Sequence, residues 1–224
     1  MTISLGLYDV FSYIVPGFLY LYVMLEFMRV LGWRTVDLTQ IDTVGSLLLI
    51  TVVSFILGHI VGSITYDYWY KLFFKTHPPS ISLARLRKLY PDTQFDFKPD
   101  DNELFFAIIR HHDKSLAEKI EITRVNSIML RSISFGLFFY GILQVWLLFD
   151  KQQLHHLVIA TIAMLSSAIT LRRSGTFYKW FFTNVFLEAL NYGSNVREAL
   201  EMSRKQVVGD ATNERKSRAN QKQR

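Results

Sequence analysis

His59 is the ionisable side chain set deepest in an apolar run of this sequence. The run, TVGSLLLITVVSFILGHIVGSITY over residues 43–66, holds no formal charge between Asp42 and Asp67. An ionisable group at such depth serves as a proton relay or pore lining, or stays a neutral imidazole bonded across helices. Gly58 beside it leaves room for the second role, and the position towards one end of the run favours it. Two carboxylates, Asp9 and Glu26, are candidates to join His59 in a small transporter or an intramembrane enzyme. Glu26 has a nearer partner in Arg29, because a three-residue spacing suits a local ion pair on one helix.

The other titratable clusters point away from chemistry. In His111-His112-Asp113 the two imidazoles would diverge by about 100° on a helix, so they do not share a metal without distortion. His155-His156 belongs to a different part of the chain. Asp100, Asp101 and Glu103 read as a helix start, with Asp100 or Asp101 capping and acidic charge in the first turn. There is no glycine-rich phosphate loop, no GxSxG, no HExxH and no helical-ribonuclease Arg–His spacing. The absence of cysteine excludes thiolate nucleophiles and Cys-ligated metals. Catalytic residues, metal ligands and cofactors are therefore all assigned as none.

The elements that carry these residues are helices. Residues 43–66 are apolar on every side and long enough to cross a hydrocarbon core, which needs about 20 residues. A first span is predicted over about residues 10–31, with Pro16-Gly17 expected to kink or interrupt it. A third lies between Arg131 and Asp150 and a fourth between Lys151 and Arg172, joined by so short a link that they form a tight antiparallel hairpin. The fold class is all-α: a polytopic membrane protein with four transmembrane helices and a helical cytoplasmic insert. Its segments are 1–66, a first transmembrane hairpin; 67–130, the insert; 131–172, a second hairpin; 173–208, juxtamembrane and cytoplasmic helices; and 209–224, a disordered basic tail. In the insert, ISLARLRKLY and a longer helix bearing Phe105, Ile108, Ile109, His112, Leu116 and Ile120 on one face are expected. TFYKWFFTNVFLEALNYG reads as an aromatic stretch at the membrane surface. SGTFYKWFFTN after the fourth span echoes SITYDYWYKLFF after the second, with Ser, Thr and Trp in the same relative positions, a pattern that duplication or shared selection for interfacial aromatics would produce.

Ser54, Gly58 and Gly62 recur every four residues on the second span and form one face where another backbone can approach. Lys and Arg cluster in the insert and after Arg172, while the opposite links offer only Arg34 and Lys151. The positive-inside rule then places both termini in the cytoplasm of a cell-membrane protein. The net charge of +6 suits anionic lipid as a partner. Nucleic acid is not expected, because the basic tail lacks interleaved stacking aromatics.

Tyr8-Asp9, Tyr13 and Pro16-Gly17 resemble the opening of a group of bacterial multipass membrane proteins, over little more than the first span. The resemblance implies a bacterial inner-membrane setting. Comparison with small bacterial membrane proteins carrying helical inserts adds a role in defence as an expectation. The combined reading is a non-enzymatic integral membrane protein: an oligomeric pore-like or membrane-perturbing effector, or an accessory subunit. It is expected to self-associate or to bind a membrane or cytoplasmic partner protein.

Overall fold

The computed structural model describes residues 7–35, 43–65, 78–90 and 97–192. The juxtamembrane stretch 66–77, the end of the 173–208 segment beyond residue 192 and the basic tail lie outside the described residues. So does the Asp9 side chain, although its backbone belongs to the first helix. The described chain is all-helical: α1 (Leu7–Val30), α2 (Val44–Ile64), α3 (Pro78–Leu89), a 3-10 turn (Pro99–Asp101), α4 (Asn102–His112), α5 (Lys114–Lys151) and α6 (Leu154–Asn191). α1, α2, α5 and α6 are each long and apolar enough to cross a membrane.

Two compact units divide the chain, one formed by residues 1–77 with 121–180 and the other by 78–120 with 181–224. In the first, α1 runs through Pro16 as one helix and ends where Gly32 adopts a left-handed φ of 80°. There the Trp33 N–H returns to the Met28 carbonyl at 3.1 Å, closing a glycine-ended cap. Thr43 starts α2 by accepting from the Ser46 N–H at 3.3 Å. α1 and α2 are antiparallel, with Tyr13 against Gly58 and Gly17 against Ser54. α1 and α5 run parallel: Tyr20 donates to the Ser132 carbonyl, Tyr22 packs 5.8 Å from Tyr140, and Phe27 packs 5.7 Å from Trp146. Gln152, at φ 50°, closes the two-residue link from α5 to the antiparallel α6.

The second unit is built differently from the sequence expectation. Pro78 and Pro79 open α3 ahead of the expected ISLARLRKLY, since proline suits the first helical turn. The longer insert helix is broken: α4 stops at His112, and Asp113 caps α5 by accepting from the Leu116 N–H at 2.9 Å. Asp101 holds the N-cap position of α4, as its place before the helix predicts, but its carboxylate accepts from the Lys98 N–H at 2.7 Å and closes the 3-10 turn instead of bonding into α4. Phe105 and Ile109 are fully buried, whereas His112 is exposed and stacks 5.3 Å from Tyr192.

The aromatic stretch after Arg173 is not a separate surface helix. It continues α6, a single helix of 38 residues, and from Phe181 onwards it supplies the core of the second unit. Phe105 lies 6.0 Å from Phe186 and Phe106 lies 5.7 Å from Phe181, with Val185 and Ala189 buried beside them. Too small to close a core alone, the insert closes it with the end of α6.

Candidate functional site

The polar and small side chains of the spans converge on two helix seams inside the first unit. In the α1–α2 seam, a Cβ added to Gly58 would strike the Tyr13 carbonyl oxygen, and one added to Gly17 would strike that of Ser54. Ser54, Gly58 and Gly62 are the buried residues of α2. They are not equally tight, because a Cβ on Gly62 would meet only the Tyr13 ring, at 3.4 Å. Gly17, read from sequence with Pro16 as a kink or interruption, is the second point of backbone contact. Pro16 beside it is fully buried.

His59 is exposed on α2 and packs its ring 4.9 Å from Tyr13 and 6.4 Å from Phe55. Glu26 pairs with Arg29 at 2.5 Å. It lies 13 residues beyond Tyr13 on α1, about 20 Å along the axis at 1.5 Å per residue. Glu26 and His59 therefore stand at opposite ends of this hairpin and do not converge.

The α5–α6 seam was not legible from spacing within either span. Ser127 donates to the Ser174 carbonyl at 3.0 Å, and Ser174 donates back to the Ser127 carbonyl at 2.8 Å. Ser134 and Ser167 repeat the reciprocal pair, both bonds at 2.8 Å. The serines are seven residues apart on each helix, and all four are buried. One heptad further, Gly141 and the buried Ala160 continue the small-residue line. A seven-residue repeat keeps one narrow seam facing its partner along a left-handed supercoil. The signal available in the sequence was the match between Ser127/Ser134 and Ser167/Ser174, visible only once the two spans are set antiparallel.

At the far end of this seam the His156 Nδ1 lies 2.7 Å from the Gln144 Oε1, buried, while its Nε2 is enclosed without a hydrogen bond. The His155 ring lies beside that of His156, centroids 4.0 Å apart and planes tilted by 39°. Arg131, counted from sequence as a boundary charge, is only 4% exposed and lies next to Ser132, the acceptor of Tyr20. Among the described residues no group of three or more His, Asp or Glu is placed to hold a metal. The seams can therefore fix helix positions, with hydroxyl–carbonyl bonds replacing water in an apolar setting.

No family model, curated protein or solved structure matches this chain. What the architecture defines is a class: an all-helical multipass membrane protein with a second compact helical unit.

Proposed function

We propose that the chain is a non-enzymatic subunit of an oligomeric membrane assembly, pore-like or accessory in character, whose second unit serves as its cytoplasmic docking and control part. The observation that carries this reading is the double use of α5 and α6. Each is a continuous helix of 38 residues that contributes to both compact units. A partner that binds the second unit then acts on the same helices whose seam organises the spans. Within the first unit the seams are closed by backbone contact and reciprocal serine bonds. A conducting path therefore forms between copies rather than through one.

The ends of α1 and α5 that come first in the chain lie with the last residues of α2 and of the α6 span. We assign that end to the cytoplasm from its cations, Arg124, Arg172, Arg173 and Lys179. Reporters fused at Gln152 and after Arg224 should report opposite sides. Crosslinking in native membranes, followed by ion and dye leakage from vesicles carrying the purified protein, tests the assembly. Ladders above the monomer are expected. A strictly monomeric protein that leaves permeability unchanged refutes the pore-like form.

A further inference from the structure

One outward face of α6 continues from the apolar span into a cationic and aromatic cluster. Val158, Ile162, Leu165 and Ile169 are exposed along it at three- and four-residue steps, and Arg173 is the next step. The Arg173 guanidinium carbon lies 4.9 Å from the Phe177 ring centre and 5.5 Å from that of Trp180. Those rings, themselves 5.3 Å apart and edge to face, hold the guanidinium on the same stripe. Arg172 is exposed next to it, and neither arginine makes an ion pair among the described residues.

We infer that Arg173, steadied by Phe177 and Trp180 and assisted by Arg172, binds the headgroup phosphate of an anionic phospholipid whose chains run along Ile169, Leu165 and Ile162. The occupant is a lipid because the cation terminates a row of exposed apolar side chains, which a free phosphate would leave in water. Tryptophan favours the headgroup level for its apolar ring and polar N–H. A guanidinium stacked on rings keeps its edge N–H groups for the paired oxygens of a phosphate. The inference rests on the membrane reading alone, so a failure to oligomerise leaves it standing.

Full-length protein in nanodiscs made from mixed phosphatidylcholine and phosphatidylglycerol, analysed by native mass spectrometry, tests it. Wild type should retain phosphatidylglycerol preferentially. Arg173→Gln should lower that retention about five-fold, and the Arg172→Gln/Arg173→Gln pair further. Arg173→Lys keeps the charge without the flat face and should fall between; retention equal to wild type would remove the stacked guanidinium from the site. Arg85→Gln, which removes an exposed cation from α3, should change nothing. Unchanged retention in the double variant, or an equal loss in Arg85→Gln, overturns the inference. Displacement by inorganic phosphate at constant ionic strength also overturns it, because the cluster would then read free phosphate.

Discussion

Gly58 of α2 lies directly on the backbone carbonyl of Tyr13 in α1, so closely that a single added Cβ would come within 1.9 Å of the oxygen. Gly17 repeats the contact on the Ser54 carbonyl one turn along. Two backbones at this distance gain dispersion contacts that lipid chains do not supply, because between apolar surfaces in a bilayer packing replaces the hydrophobic effect.

Alanine at Gly58 or Gly17 is therefore expected to destabilise the hairpin. Overpacking of about 1–3 kcal/mol outweighs the gain of about 1 kcal/mol in helix propensity. Gly62→Ala, with 3.4 Å to the Tyr13 ring, should be neutral or slightly stabilising. Ser54→Ala should also be tolerated, since the buried Ser54 Oγ makes no hydrogen bond. Reversible unfolding in mixed micelles gives the ranking; equal behaviour of Gly58→Ala and Gly62→Ala would contradict it.

The serine seam separates bonding from packing. Ser134→Ala removes one hydroxyl from a reciprocal pair and keeps the small volume, so it should cost about 0.6 kcal/mol, the average for interhelical bonds in a bilayer. Ser134→Leu should cost several times more by forcing α5 from α6. Comparable losses in the two variants, measured by the same unfolding assay, would show that close approach is not what the serines provide.

Gln144 and His156 should behave asymmetrically. Gln144→Leu leaves the buried imidazole without its 2.7 Å partner, a loss of about 1–3 kcal/mol. The Gln144→Leu/His156→Leu pair removes both polar groups and should recover most of that stability. A double variant as damaged as the sum of the single ones would mean that the bond itself, not its desolvated remainder, holds this end of the seam.

Phe186 tests the partnership between the insert and the end of α6. It is fully buried and lies 6.0 Å from Phe105, so Phe186→Ala should cost about 3–5 kcal/mol. Limited proteolysis should then cut within residues 78–120 while sparing the spans. Protection equal to wild type would show that the insert is held by something other than α6.

Some of this is legible in the sequence. Uncharged runs mark the four spans because a charge in hydrocarbon is costly, and that constraint acts locally along the chain. The step of four from Ser54 through Gly58 to Gly62 likewise marks a face of one helix from its own period. The identity of the partner was not local. Tyr13 offers its carbonyl to Gly58, and nothing in the Tyr13 side chain reports that.

Serine was equally silent, since hydroxyls in apolar helices also bond within their own turn, as Thr161 does to the Leu157 carbonyl at 2.8 Å. Only the antiparallel pairing of α5 with α6 turns two ordinary serine spacings into a ladder. The phenylalanines from Phe181 to Phe186 suit a headgroup layer and a packed core alike, for both bury an aromatic surface away from water. Composition determined that these rings would leave water, and tertiary structure decided that Phe105 and Phe106 would meet them, because burial is satisfied by any apolar neighbour and the fold alone selects which one arrives.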